Sequence, residues 1–152
     1  MKHVKKSVLL WYSAQEMYEL VTQVERYCEF LPWCDKVEVV AREGDAVTAR
    51  LHLAYAGVRH AFTTRNLNES ARSVRMELVD GPFSQLDGLW KFQPLKKPGT
   101  GGEAKACKIV FELNYAFSSG ALEAVISPVF DRIANTFVDS FVQRAESVYG
   151  AR

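Results

Sequence analysis

The C-terminal stretch SGALEAVISPVFDRIANTFVDSFVQRAESVY, residues 119–149, decides the fold. Apolar residues recur at Leu122, Val125, Ile126, Val129, Phe130, Ile133, Phe137, Phe141, Ala145 and Val148. Asp131, Arg132, Asn135, Asp139, Gln143 and Glu146 share the opposite side. This 3.6-residue period predicts a half-buried helix. A helix of roughly 30 residues is about 45 Å long, and burying each large side chain stabilises by about 1.5–3 kcal/mol. Phe130, Phe137 and Phe141 on one stripe therefore need a large apolar partner, and the upstream chain reads as that partner. Pro128 removes one helical hydrogen bond and clashes with the preceding turn. The stripe before it is centred roughly 80° from the stripe after it, which predicts a kink near Ser127 and not an unbroken rod.

The upstream chain supplies strands. Residues 3–10 predict an edge strand, and Ser13 to Glu16 have the spacing of a capping box that opens a short helix over residues 14–23. Met17, Leu20, Val21 and Val24 make its buried side. A second helical turn over residues 24–28 ends before Pro32, because a residue preceding proline is pushed out of the α region. From Asp35 the period becomes two. Val37 and Val39 alternate with polar neighbours, and Val47, Ala49, Leu51, Leu53 and Tyr55 share one face of the next strand. If Ala56-Gly57 is a two-residue hairpin loop, Tyr55 faces Val58, Leu53 faces His60 and Leu51 faces Phe62. That register sends His60, Thr64 and Asn66 inward with Phe62, and Arg50, Arg59 and Arg65 outward. Inward polar groups need hydrogen bonds or water, so the trio marks either a cavity or satisfied core polars at a sheet edge.

Val74, Met76 and Leu78 define another strand, and Leu86, Gly88, Trp90 and Phe92 share a face of the one after it. Gly88 predicts a bulge or a close approach, with the C-terminal helix as the approaching element. Residues 94–103, rich in Gly, Pro and Lys, predict a solvated hairpin loop. Cys107, Ile109, Phe111, Leu113, Tyr115 and Phe117 form the cleanest strand. The sum is α+β: an antiparallel sheet of about seven strands with one apolar face, two short helices after the first strand, and a long helix after the last.

Composition narrows the function. With 152 residues the chain predicts a single domain over residues 1–152, large enough for a core of its own. A net charge of +1, from 19 basic and 18 acidic residues, favours neither a DNA-binding nor an acidic-surface protein. Cys28, Cys34 and Cys107 are an odd set without C-x-x-C spacing, which predicts free thiols in a reducing compartment and no zinc site. No apolar run has the length of a spanning helix and no signal-peptide pattern opens the chain, so a cytoplasmic location is expected. The stretch Y-C-E-F-L-P-W-C, residues 27–34, is too apolar for an ordinary surface loop. It is either a plug on one end of the core or the mouth of a ligand cavity, and it is where a transient touch on a bilayer is expected.

Four motifs carry a resemblance: F-L-P-W-C at residues 30–34, F-T-T-R at 62–65, D-G-P-F-x-x-L-x-G-x-W-x-F at 80–92 and F-V-x-R-A at 141–145. In this order the chain resembles the bacterial ubiquinone-binding START-like family of the polyketide cyclase/dehydrase superfamily. That family includes RatA-type ribosome-association toxins and mitochondrial coenzyme Q-binding proteins. The resemblance implies a helix-grip fold, in which a curved sheet wraps the long helix around an apolar tunnel. It further implies a carrier of ubiquinone or lipid that supports respiration, at the periphery of the inner membrane, or a protein that binds the large ribosomal subunit and blocks subunit joining. The oligoketide cyclase label common in the superfamily rests on fold, which does not determine function.

An enzyme needs a nucleophile, an acid or base, or a metal in mutual reach. His3, His52 and His60 lack ligand spacing, and Asp131 and Asp139 lie on the polar side of the helix as solvated carboxylates. No catalytic or metal residue is assigned, and no cofactor beyond bound ubiquinone or lipid is expected. A carrier needs an apolar wall with a few orienting polar groups. Leu51, Leu53, Phe62, Met76, Trp90, Phe111, Leu113, Phe130, Ile133 and Phe137 are the expected wall, and Tyr55, His60, Thr64 and Tyr115 the expected partners for a quinone carbonyl; ordinary core packing is the alternative for each. A ribosome binder needs a basic surface, expected at Arg50, Arg59 and Arg65 with Lys2, Lys5 and Lys6 beside them.

Overall fold

The computed structural model describes residues 1–95 and 105–151. Among these, seven strands form one antiparallel sheet in the order β1-β7-β6-β5-β4-β3-β2. They are β1 (Lys2–Leu10), β2 (Cys34–Glu43), β3 (Ala46–Tyr55), β4 (Val58–Glu69), β5 (Ser73–Asp80), β6 (Phe83–Leu95) and β7 (Ala106–Phe117). Helix α1 (Ala14–Thr22) and a 3-10 helix (Val24–Glu29) join β1 to β2, and the long helix α2 (Gly120–Tyr149) follows β7. The sheet curves around α2, which is the helix-grip architecture. Of the loop expected over residues 94–103, Pro94 and Leu95 instead extend β6 opposite Cys107 and Ala106, and the remainder lies outside the described residues.

Local chemistry explains the elements. The Ser13 hydroxyl accepts from the Glu16 amide at 3.0 Å and the Glu16 carboxylate accepts from the Ser13 amide at 2.9 Å, the reciprocal capping box. The β3–β4 register is the expected one, with Tyr55 opposite Val58, Leu53 opposite His60 and Leu51 opposite Phe62. Ala56 and Gly57 both have positive φ, 50° and 80°, the geometry of a type I′ hairpin turn. Ser119 caps α2 by accepting from the Leu122 amide at 3.2 Å. Ile126, Val129, Phe130, Ile133, Ala134, Val138, Phe141 and Ala145 are buried along it. Val125 and Val148 stay 57% and 49% exposed, so the apolar stripe is narrower at its ends than its sequence suggests.

Helix α2 runs as one element through Pro128; Pro128 and Ala124, whose carbonyl loses its helical donor, are both exposed, so water can serve that carbonyl. Three expectations are corrected. The close approach at Gly88 comes from neighbouring strands and not from α2: a Cβ there would stand 2.4 Å from Met76 Cε and 3.3 Å from Leu113 Cδ1. Cys28 and Cys34 are paired as a disulfide, with Cα atoms 4.9 Å apart, while Cys107 alone is a free, buried thiol. The 3-10 turn folds residue 28 back onto the start of β2, which spacing along the chain does not reveal. Lastly, Lys2 points inward beneath α2 and not into an outer basic stripe.

Candidate ligand chamber

Two groups of aromatic rings lie between the sheet and α2. In one, Phe130 packs at 4.8 Å from Tyr115 and 4.9 Å from Phe83, with Phe62 6.2 Å away. In the other, Phe137 packs at 5.1 Å from Phe141, 5.6 Å from Phe111 and 5.7 Å from Trp90. The rings do not close the space between the groups. An apolar chamber of about 60 Å³ remains there, walled on the helix side by Phe130, Ile133, Ala134 and Phe137 and on the sheet side by residues of β3 to β7. A water takes about 10–15 Å³ by this kind of measure, so a ring-sized guest must displace wall atoms. Met76 and Phe137 are the half-buried ones able to yield.

Of the expected site residues, Leu51, Phe62, Thr64, Met76, Phe111, Leu113, Phe130, Ile133 and Phe137 meet in this wall. Five do not. Leu53 and Trp90 pack in the surrounding core, 3% and 0% exposed; His60 is half-buried outside the wall; Tyr55 belongs to a second cavity; and the Tyr115 hydroxyl is engaged elsewhere. Val24, Tyr27, Trp33, Ala49, Asn66, Leu86 and Ala134 complete the wall. The signal for Asn66 was its inward register, and the signal for Tyr27 and Trp33 was the apolar stretch around Pro32, which is a chamber wall as well as a plug.

The chamber holds one polar pair. Thr64 donates to Asn66 Oδ1 at 3.1 Å, and both are buried, 3% and 6% exposed. The pair is the polar feature of an otherwise apolar wall, while the buried Trp90 indole N–H, in the core beside it, has no hydrogen-bond partner among the described residues. Tyr27 also reaches the wall, but its hydroxyl donates to the Val21 carbonyl at 2.5 Å. Burial, aided by Glu25, holds that phenol far above its ordinary range, so it stays protonated. Among the described residues no carboxylate, imidazole or thiol lines the chamber.

A second cavity of about 310 Å³ opens beside the first, lined by Pro32, Trp33, Tyr55, Val129, Arg132, Ile133, Thr136, Asp139, Ser140 and Gln143. It is a polar vestibule on the outer face of α2. Trp33 and Ile133 stand in both walls, and thus form the partition between vestibule and chamber.

Asp131, expected as a solvated carboxylate, is instead the centre of a polar latch. It accepts from Tyr115 at 2.6 Å and from Ser127 at 3.0 Å, and Lys2 of the edge strand β1 reaches both Asp131 and Ser127. Burial alone would raise its carboxyl; hydrogen bonds from Lys2, Tyr115 and Ser127 with the Lys2 charge outweigh it and hold the group below the ordinary value of 3.8. Helical periodicity had placed Asp131 on the polar side; Ser127 reaches it from one turn earlier on α2, Tyr115 from β7, and the pairing of β1 with β7 brings Lys2. On the sheet's outer face, Arg50, Arg59 and Arg65 are exposed as expected. Acids interleave them: Arg50 is opposite Glu38, Arg65 is opposite Glu77, and Arg59 lies 3.9 Å from Asp35.

A curved sheet gripping a long helix over an apolar chamber defines a START-like cavity protein. The family described as "Polyketide cyclase / dehydrase and lipid transport" matches residues 10–142, and the chain belongs to it. The ribosome association toxin RatA of Pseudomonas aeruginosa is 40% identical over 148 residues, covering 97% of this chain and 98% of that protein. The mitochondrial coenzyme Q-binding protein COQ10 homolog B of Xenopus laevis is 27% identical, covering 95% of this chain and 58% of that one. Among solved structures, the Zhui aromatase/cyclase from a Streptomyces species superposes with a TM-score of 0.76 over 99% of both chains at 20% identity, a likeness of fold.

Proposed function

We propose that the chain is a non-enzymatic carrier of a hydrophobic, carbonyl-bearing ligand of the quinone or lipid class, held between the sheet and α2. The observation that carries this reading is the buried Thr64–Asn66 pair set in an otherwise apolar chamber wall. An apolar site with a few placed polar groups suits such a ligand, and its carbonyl would take a hydrogen bond from this pair. The coenzyme Q-binding name of the Xenopus relative points to the same ligand class. As a quinone carrier the protein would support respiratory electron transport from the cytoplasmic side of the membrane, touching it transiently near Pro32. Among the described residues no helix is long and apolar enough to cross a membrane. Cyclase chemistry is not proposed, because the chamber lacks a group to move a proton and the aromatase likeness concerns fold.

Freshly purified protein should yield a quinone or lipid on gentle organic extraction followed by mass spectrometry. Added decylubiquinone should quench tryptophan fluorescence saturably, with Trp33 in the wall as the main reporter. Neither ligand in the extract nor saturable quenching would overturn the carrier.

A second reading is association with the large ribosomal subunit, favoured by 40% identity to a ribosome association toxin along nearly the whole chain. Phosphate contacts would fall to Arg50, Arg59 and Arg65, whose acidic neighbours weaken a purely electrostatic footprint. Sedimentation through sucrose with purified large subunits at low salt tests this: the protein should travel with the subunit and reduce joined ribosomes. Protein that remains at the top excludes it.

A further inference from the structure

The Cys28–Cys34 bond closes a short ring, of sequence separation 6, around the residues that wall the vestibule and the chamber. Within the ring, Leu31 is 1% exposed and Trp33 is 6% exposed. Trp33 precedes the buried Cys34, and its carbonyl accepts from the Ala54 amide at 2.9 Å. The Leu31 and Cys34 amides donate to Tyr27 and Leu31 carbonyls at 2.9 and 3.0 Å. On the α2 side, Arg144 donates to Glu29 at 2.8 Å and lies 5.0 Å from the Phe30 ring centroid. Beyond the backbone itself, the disulfide is the covalent tie between the start of this segment and its end. The two sulfurs differ in access, since Cys28 is exposed while Cys34 is 9% exposed. Cys107 is fully buried, and burial, with a smaller push from Glu16, raises its thiol to about 11, so it stands apart from exchange.

We propose that Cys28–Cys34 is a thiol–disulfide exchange site whose reaction partner is a dithiol reductant, and that its state governs the Trp33 partition between vestibule and chamber. A reductant thiolate attacks the exposed Cys28 sulfur, the S–S bond breaks, and Cys34 leaves as a thiolate that takes a proton. The reductant's second thiol then attacks the mixed disulfide and releases Cys28. Two electrons and two protons pass to the protein, and the reductant becomes a disulfide. In the oxidised protein the ring holds Trp33 against Ile133 and the chamber exchanges its content slowly. In the reduced protein residues 29–33 are free to swing out and exchange is fast. The gating of ligand rests on the carrier reading; the exchange site and the motion do not.

The test compares full-length protein oxidised with glutathione disulfide, the same protein reduced with dithiothreitol, and Cys28→Ser, a surface change that removes the bond without reductant. Intact mass after alkylation should rise by two adducts on reduction. Hydrogen exchange at the Leu31, Cys34 and Ala54 amides should be at least tenfold faster in the reduced protein and in Cys28→Ser, with Phe111 and Leu113 unchanged. Dithiothreitol should add nothing to Cys28→Ser, and decylubiquinone should dissociate several-fold faster from both open forms. Failure to form the bond, equal amide exchange in the two states, or acceleration spread across β7 overturns the proposal. Faster local amide exchange without any decylubiquinone binding upholds the redox segment and defeats the carrier reading instead.

Discussion

The hydroxyl of Tyr115 on β7 donates to Oδ1 of Asp131 on α2 at 2.6 Å. The same carboxylate takes the Lys2 ammonium of β1, so one side chain ties the gripping helix to the strand beside the sheet's edge and to the edge itself. Burial first, then the neighbouring Asp131, pushes the Tyr115 phenol well above its ordinary range, so at neutral pH it is the donor of this bond.

The latch sets an acid limit. Asp131 titrates lower in the folded chain than in the unfolded one, where the ordinary value is 3.8. Its contribution is therefore complete above that value and is lost as pH falls through the folded value. Denaturation followed from pH 7 to pH 2 should show this loss, and Asp131→Asn should flatten that part of the curve. Tyr115→Phe should cost about 1 kcal/mol at neutral pH, the usual worth of one hydrogen bond. An Asp131→Asn curve that parallels the unsubstituted protein would show that the latch adds nothing.

The polar pair in the chamber sets stability against binding. Asn66→Leu alone leaves the Thr64 hydroxyl buried without its acceptor and should destabilise by about 1–3 kcal/mol. Thr64→Val with Asn66→Leu removes both partners and should be close to neutral or stabilising. Either should weaken decylubiquinone by about 2- to 10-fold, the equivalent of one hydrogen bond. Urea unfolding and fluorescence titration separate the two effects; unaltered affinity in the double variant would remove Asn66 from ligand recognition.

Two glycines pack against residues of the chamber wall and should respond differently to alanine. At Gly81, φ is +148° and an added Cβ would meet the Phe62 Cβ at 2.7 Å, where neither atom can move without the backbone. Gly81→Ala should cost about 1–3 kcal/mol by overpacking. At Gly88 the closest atom is the flexible tip of Met76, which can turn into the chamber it lines. Gly88→Ala should cost less than Gly81→Ala in thermal unfolding and yet reduce ligand binding more.

The strand pattern was legible where buried and wetter residues alternate, as along β3 and β7, and the two-residue turn at Ala56-Gly57 fixes which residues of β3 and β4 meet. The nine expected site residues that meet in the chamber wall all lie on strands or on the α2 stripe. What was not legible depends on approach between distant elements. Periodicity gives the face of Trp90 and Tyr115 correctly, but not that Phe111 and Phe137 cover the first and Asp131 engages the second. Nor does residue spacing show that a 3-10 turn carries Cys28 onto Cys34, or that Trp33 becomes a partition.

That partition also marks the door. Helix α2 continues through Pro128, and the walls shared with the vestibule are Trp33 and Ile133. A helix-interior proline is up to about 3 kcal/mol less favourable than alanine, and Pro128 is exposed, so alanine there meets no packing conflict. Pro128→Ala should therefore raise the melting temperature and leave the rate of decylubiquinone exchange as it was. Trp33→Ala, which removes the partition, should accelerate exchange several-fold. Stopped-flow fluorescence can follow the second through added probe displacement even though one tryptophan is lost. If Pro128→Ala slows exchange while Trp33→Ala does not change it, the ligand passes under the first turns of α2, and the Trp33 wall is only a plug.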